Sequence, residues 1–380
     1  MDVEMSENSE LCAVIRNRIA SCGPVSFRWF MEQALYHPHY GYYASGRAAI
    51  GKRGDFFTSV SAGALFGKLL AAQFLEIWES LGRISPFTLV EQGANNGDFA
   101  ADVLTSMQAA APDCSAVLRY VIVEPFAPLC DRQKQTLRSF PNVHWHESLD
   151  DLDPFCGLHF SNELLDSMPV HLVQFAGGKW SEQYVNERFE FIDGPLSSGA
   201  LREALAPIPR IENYRTEVNL EALAWIDALA AKLTRGYVLV IDYGFPQEIY
   251  YSPERRNGTL TGYANHQRKE NPLDAVGAAD ITAHVDFTRL AKQAEKQGLE
   301  LAGFTDQHHF MVGLGSREFQ DTSGPQTPER QKSLRIFQTL MHPDFMGLAF
   351  KVLALRKGVE AGPLGGFQFA RNPRSALGLA

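Results

Sequence analysis

The chain has 380 residues, 45% of them apolar, and a formal charge of −9 from 44 acidic and 35 basic residues. That length holds one large domain with insertions or two modest ones, with enough apolar surface for a core. The charge argues against non-specific nucleic-acid binding, no run reaches the roughly 18–20 apolar residues that span a bilayer, and five scattered cysteines without a CxxC pair argue against a zinc knuckle or disulfide framework.

The opening residues MDVEMSENSE are acidic and polar, unlike a secretory signal or an Arg-rich presequence, which leads to the expectation of a bacterial-type cytoplasm. Residues 10–35 are predicted helical from Leu11, Val14, Ile15 and Ile19, with Ser26 placed to cap a second helix bearing Phe27, Phe30 and Met31. The stretch HPHYGYYASGRAAIGKRGDFFTS is too long and too rich in glycine, aromatics and bases for a simple connection. An apolar helix follows from Ala62 to Leu81.

A strand–helix alternation begins at Phe87–Glu91, continues through a glycine turn and a helix past Leu104, and gives further strands at Arg119–Glu124, Val143–His146 and Leu158–Ser161. Residues 170–193 alternate about Gly177-Gly178, the pattern of a β-hairpin. A helix is predicted over 217–234, a strand over Tyr237–Asp242, a helix over Phe287–Gln297, and strands over Leu299–Phe304 and Leu348–Leu355. The alternation implies an α/β, Rossmann-like fold around a mostly parallel sheet. The expected domains are an N-terminal helical region with its Gly/aromatic loop over 1–84 and a core over 85–358. Insertions are expected near 170–195 and 245–286, and a flexible Gly-, Pro- and Ala-rich tail over 359–380.

The main motif is VEQGANNGDFAADVL, residues 90–104. Gly93 and Gly97 frame a sharp turn between strand and helix, where a ligand can approach the backbone. The turn lacks a third glycine and is followed by Asp98, which would repel a pyrophosphate. An amino-acid-bearing cofactor with a cationic amine and a sulfonium suits it better, with Glu91 and Asp98 meeting the positive end. An ordinary strand–turn–helix connection would read the same way. Glu124, ending the next strand, is placed to accept hydrogen bonds from both hydroxyls of a ribose, or is a solvated strand-end acid. Glu147, after the third strand, is the candidate for the adenine edge.

FSNELLDSMPVH follows the fourth strand and brings Asn162, Glu163 and Asp166 to the same carboxyl edge, with Asn162 a candidate on the cofactor side as well. Carboxylates can hold a guanidinium by paired hydrogen bonds, so Glu163 and Asp166 are candidate catalytic residues, unless Asp166 only starts a turn. Tyr243, after the YVLVID strand, is a candidate pocket wall. Asp280, Thr282, His284 and Asp286 alternate, which places them on one face of an extended segment, with His284 as a proton shuttle; helix capping is the plainer reading. His308-His309 reads as a strand-end pair, and no metal is expected. Asp55, Phe56 and Phe57, in the long loop, are candidate acceptor contacts.

HPHYGYY, GDFFTSVSAGALFG, VEQGANNGDFAADVL, SNELLDSMPVH, VLVIDYG, GTLTGYANH and DITAHVDF, in this order over roughly residues 25–315, resemble one family. It is the S-adenosylmethionine-dependent methyltransferase family that includes a mitochondrial complex I assembly factor with protein-arginine methyltransferase activity, and its bacterial relatives. The resemblance implies a seven-stranded class I methyltransferase core, S-adenosyl-L-methionine as cofactor, and symmetric dimethylation of an arginine in a protein client, of the respiratory-complex type or another. The family's G-P-G-x-G turn is here Gly93-Ala94-Asn95-Asn96-Gly97, with Asn95 at the middle glycine. A non-catalytic scaffold and a small-molecule methyltransferase are the alternatives. Partners are a protein bearing arginine, with no membrane insertion and no nucleic acid; the oligomeric state stays open, a homodimer included.

Overall fold

The computed structural model describes residues 8–44, 63–264, 267–269, 271–319, 327–342, 347–360, 362 and 364–380. Asp55, Phe56 and Phe57 lie outside the described residues. In chain order the elements are α1 (Ser9–Cys22), β1 (Val25–Ser26), α2 (Phe27–Tyr36), α3 (Leu65–Ser80), β2 (Phe87–Gln92), α4 (Asp98–Ala110), α5 (Pro112–Val117), β3 (Leu118–Val123), α6 (Ala127–Thr136), β4 (Val143–His146) and β5 (Phe155–Asn162). Next come β6 (His171–Ala176), β7 (Lys179–Val185), β8 (Phe191–Gly194), α7 (Gly199–Ala204), β9 (Tyr214–Val218), α8 (Glu221–Lys232), β10 (Leu233–Phe245), α9 (Gln247–Tyr250), β11 (Thr261–Ala264), β12 (Gln267–Lys269), β13 (Asp280–Thr282) and β14 (Val285–Asp286). The chain closes with α10 (Phe287–Lys296), β15 (Glu300–Asp306), α11 (Gln307–Glu318), α12 (Pro328–Met341), β16 (Phe350–Lys357) and α13 (Pro373–Ala376).

The described residues fall into two compact units. The first takes Met1–Phe56, Leu165–Ala224 and Phe245–Asp286; the second takes Phe57–Leu164, Trp225–Gly244 and Phe287–Ala380. This differs from the expected division at residue 84, and the packing explains why. The apolar helix α3 is part of the second unit's core through Phe66, Leu70 and Phe74, whereas Leu11, Ile15, Phe27 and Phe30 of α1 and α2 pack with Val170, Leu172 and Val185.

The second unit is built on a sheet of order β15-β16-β10-β5-β2-β3-β4. β4, β3, β2, β5 and β10 run parallel, and β16 lies antiparallel between β10 and β15. Phe87, Leu89, Tyr120, Leu158 and Phe160 share a core with α3 and α4, where Phe99 stacks on Phe160 at 4.7 Å between centroids. Strand order reverses between β2 and β5, and in such sheets the crevice beyond the strand ends at the reversal is where ligands bind. The first unit holds an antiparallel sheet β1-β7-β6-β9 with β8 on β7, and a small sheet β12-β11-β13. The hairpin forms around Gly177-Gly178 as expected, with Ala176 opposite Lys179.

Residues 10–35 form the two expected helices: α1 ends at Gly23-Pro24, where proline cannot continue it, and Ser26 caps α2 by accepting from the Trp29 N–H. Two expectations are corrected. The start of the helix over 217–234 is instead the end of β9, whose Tyr214, Thr216 and Val218 are buried. The tail is not loose: Gly365 and Gly366 donate their N–H groups to Glu76 and Gln73 of α3 at 2.7 and 2.8 Å, and Thr288 donates to the Leu377 carbonyl at 2.7 Å. The segment is held by these bonds and by its few apolar side chains, with Leu364 and Leu377 buried and Phe367 packed on Phe310. Among the described residues, no helix is long and apolar enough to cross a membrane.

Candidate functional site

In the parallel unit the turn after β2 is set by backbone sign. Gly93 has φ +78°, Asn95 +45° and Gly97 +83°, and the Gly97 N–H donates to the Ala94 carbonyl at 2.8 Å. A Cβ on Gly93 would meet only ordinary contacts with Leu164 and the Asn162 carbonyl, so what requires glycine there is the left-handed backbone. Asn95 stands where the resembled family has glycine, and Asn tolerates that region better than most residues. Asp98 is exposed in the first turn of α4, where a carboxylate is favoured by the helix dipole.

Beside this turn lies Glu124, buried just past β3, its own N–H donating to the His146 carbonyl at 2.9 Å. Its carboxylate accepts from the Phe126 N–H at 3.0 Å and from Gln133 Nε2 at 2.9 Å. The same Nε2 donates to the Asn95 carbonyl at 2.8 Å, while Gln133 Oε1 accepts from Trp145 Nε1 at 3.1 Å. One amide therefore ties the turn, the acid and β4 together. Burial raises the Glu124 carboxyl above its ordinary value, and the two hydrogen bonds work against that rise. Gln133 was not legible in the sequence, since it sits in the polar run DRQKQT with nothing to set it apart. Glu147 is exposed beyond β4 and takes no part in the bonds that join Glu124 to the turn.

At the end of β5, Asn162 Nδ2 donates to Glu163 Oε1 at 3.0 Å. Glu163 has φ +54°, and its N–H donates to the Ile241 carbonyl at 3.0 Å. Asp242, fully buried, accepts from the N–H groups of Leu164 at 3.1 Å and Tyr243 at 2.8 Å, so it pins both strand exits. Tyr243 lays its ring on Phe350, 3.9 Å between centroids. Two amide oxygens around this crevice, Asn95 Oδ1 and Asn162 Oδ1, are buried with no hydrogen-bond partner. Such an acceptor costs roughly 1–3 kcal/mol unless a donor arrives, and a cationic amine is a fitting one.

The reading of Glu91 as a partner for a cation is revised. It is 3% exposed and accepts from the Tyr120 hydroxyl at 2.7 Å. Burial pushes it up to about 7, the Tyr120 bond opposing, which disfavours its charged form as a partner for a cation. Nearby, His159 is buried and held neutral, pushed down to about 3, with Nε2 3.0 Å from Gln92 Oε1, which also accepts from Trp225 Nε1 at 2.7 Å. These bonds fasten the last residue of β2 just ahead of the turn.

In the antiparallel unit, Asp166 is 4% exposed and Asp280 8%. Tyr43 donates to Asp280 Oδ1 at 2.9 Å, and the Ala283 N–H donates to the Asp166 carbonyl at 2.8 Å. The expected alternation holds for the residues between, since Ile281, Ala283 and Val285 are buried while Thr282, His284 and Asp286 are half-buried. Asp280 departs from it, being buried in its turn against Tyr43. Thr282 pairs with Thr261 across β11 and β13. The His284 N–H donates to Thr259 Oγ1 at 2.9 Å, and its ring lies 5.3 Å from that of Phe245. Thr259 is itself fixed by buried Glu217, which accepts from the N–H groups of Thr259 and Leu260 and from the hydroxyls of Thr259 and Tyr250, at 3.0–3.1 Å. Glu217 too escaped the sequence reading, because its partners lie 33 to 43 residues away.

His308 and His309 open α11 rather than end β15. His309 Nδ1 is 2.7 Å from Asp306 Oδ1, and His308 Nδ1 is 2.8 Å from the Met341 carbonyl. Among the described residues, no group of three or more His, Cys, Asp or Glu could hold a metal ion.

Residues 69–305 match the family described as "Putative S-adenosyl-L-methionine-dependent methyltransferase". The chain is 29% identical to "Protein arginine methyltransferase NDUFAF7 homolog, mitochondrial" of Drosophila melanogaster, over 94% of this chain and 87% of that protein. It is also 29% identical to "Protein arginine methyltransferase NDUFAF7, mitochondrial" of Homo sapiens, over 96% of this chain and 86% of that protein. Among solved structures it is similar to a COG1565 superfamily member from Burkholderia thailandensis bound to S-adenosyl-homocysteine. The TM-score is 0.87 and the identity 31%, over 97% of each chain. The cytoplasmic placement expected from the sequence is overturned here, because the curated relatives are named as mitochondrial proteins. That expectation rested on the acidic, polar composition of the opening residues, which does not decide the compartment.

Proposed function

This chain belongs to the S-adenosyl-L-methionine-dependent methyltransferase family, and from that premise we propose that it is a protein-arginine N-methyltransferase with symmetric dimethylarginine as its product. The client is a protein, of the respiratory-complex type or another. The parallel unit takes the cofactor. Glu124 holds the ribose hydroxyls, the Gly93–Gly97 turn receives the amino-acid end, and Asn95 and Asn162 offer their amide oxygens to its ammonium. Asp98 and Glu147 are outer contacts. The observation that carries the cofactor reading is the pair of buried amide oxygens without a partner, which suit a donor of that charge.

Bound there, S-adenosyl-L-methionine supplies a methyl already activated on a sulfonium. The protein's own task is then to align a nitrogen lone pair and exclude water. Asp166 and Asp280, both in the antiparallel unit, are proposed to hold the guanidinium, whose five N–H donors match carboxylates in pairs. Localising charge at one nitrogen leaves a lone pair on another. Thr282 is a further acceptor-side contact in that unit, and His284 receives the proton lost on transfer. Support on this side is the burial of Asp166 and Asp280 together with the names of the curated relatives.

The test is to incubate the full chain with methyl-labelled S-adenosyl-L-methionine and cell extract, then digest the protein fraction for mass spectrometry. Label is expected on arginine side chains. Label confined to small molecules or to other residues would contradict the reading, and absence of label would favour a scaffold.

A further inference from the structure

In the antiparallel unit, Tyr43 at the end of the HPHYGYY segment reaches Asp280, and Tyr36, which ends α2 just before that segment, reaches Ser167. The chain turns back at the end of α2. The N–H groups of His39 and Tyr40 donate to His37 Nδ1 at 3.3 Å, the Gly41 N–H donates to the His37 carbonyl at 2.9 Å, and those of Tyr42 and Tyr43 donate to the carbonyls of Ala34 and Leu35 at 3.0 and 3.1 Å. Gly41 is required for this return, because a Cβ there would lie 2.5 Å from the His37 nitrogen. The result sets the Tyr43 ring 5.3 Å from the Tyr36 ring.

Their hydroxyls diverge to two distant stretches of chain. Tyr43 donates to Asp280 Oδ1 at 2.9 Å. Tyr36 lies 2.9 Å from Ser167 Oγ and donates to the Ser167 carbonyl at 3.1 Å, next to Asp166. The two stretches also meet directly through the Ala283 N–H and the Asp166 carbonyl. Two tyrosines with neighbouring tilted rings, one ending α2 and one ending the return, thus hold both acidic segments. Burial and the neighbouring Asp280 push the Tyr43 hydroxyl well up, which keeps it a donor.

We infer that Tyr43, braced by Tyr36, is a positioning residue for the methyl acceptor, fixing the Asp280 carboxylate that receives the guanidinium. This rests on the protein-arginine reading above.

The experiment compares the full-length wild type with Tyr43→Phe, Tyr36→Phe and, as a control, Tyr184→Phe, whose exposed hydroxyl donates to the Pro195 carbonyl. Each is assayed for melting temperature, S-adenosyl-homocysteine affinity by calorimetry, and kcat and KM on a synthetic Arg-Gly-repeat peptide. Removing a hydrogen bond to a charged group is expected to lower kcat/KM about tenfold or more in Tyr43→Phe. About threefold is expected in Tyr36→Phe, with cofactor affinity unchanged in both and Tyr184→Phe like the wild type. In an Asp280→Asn background, Tyr43→Phe should cost little further, since the carboxylate it positions is gone. Wild-type kcat and KM in Tyr43→Phe, or full additivity with Asp280→Asn, would overturn the inference alone. A wild type that does not methylate the peptide overturns the arginine reading and the inference with it. If Tyr43→Phe does not fold, Tyr36→Phe decides: loss of acceptor kcat/KM at unchanged cofactor affinity supports the inference, and no loss overturns it.

Discussion

The two units assemble their polar residues in opposite ways. In the parallel unit the candidate groups come from neighbouring strand ends, Gly93 to Gly97 after β2, Glu124 after β3 and Asn162 ending β5, and one amide, Gln133, joins the turn to the acid. In the antiparallel unit, residues 36–43, 166–167, 217, 259 and 280–284 come from scattered stretches and are joined by tyrosine hydroxyls and a buried carboxylate. The first arrangement follows from topology, since neighbouring parallel strands deliver their carboxyl ends to one edge. The second needs specific long-range side-chain contacts. A cofactor common to a family fits the first, and a client particular to one protein fits the second.

The contrast can be broken at either unit. The largest effect is expected for Gly93→Val: a β-branched residue at φ +78° strains the turn by roughly 1–3 kcal/mol and should cost about a hundredfold in S-adenosyl-homocysteine affinity, read by calorimetry. Retained affinity would show that the turn is not the cradle. Next is Asp166→Ala, which should lower turnover about thirtyfold while leaving cofactor affinity within about twofold. Equal loss of both would erase the division of labour between the units.

The smallest effect is a pH dependence set in the sheet itself. Glu91 is raised from 4.5 to about 7 in the folded chain, so the folded state keeps a proton that the unfolded state releases. Its contribution to stability is whole below about pH 4.5 and is lost as pH rises through about 7. Glu91→Gln can still accept from Tyr120. It should therefore melt a few degrees higher than the wild type at pH 8 and equally at pH 4, followed by calorimetric scans.

Most of the parallel sheet was legible because each strand is a short apolar run bounded by turn residues: FTLVE, RYVIVE and YVLVID all fall within observed strands or one residue beyond. The glycine turn and Glu124 were legible for the same local reason. Gln133, Tyr43 and Glu217 were not, because a polar side chain in a helix, turn or strand has no local mark of partners 9 to 237 residues away. Asp280 was found by alternation yet placed on the wrong side of it, since period-two reasoning assigns a face and knows nothing of a tyrosine waiting behind. The tail deceived through composition: glycines suggested looseness where their backbone N–H groups reach Glu76 and Gln73.

The most direct measurement is a crystal structure of this chain with S-adenosyl-homocysteine. Both ribose hydroxyls are expected at about 2.6–3.2 Å from the Glu124 carboxylate, with the ammonium against Asn95 Oδ1 and Asn162 Oδ1. A nucleoside seated elsewhere, or a Glu124 that keeps only Phe126 and Gln133 as partners, would contradict it.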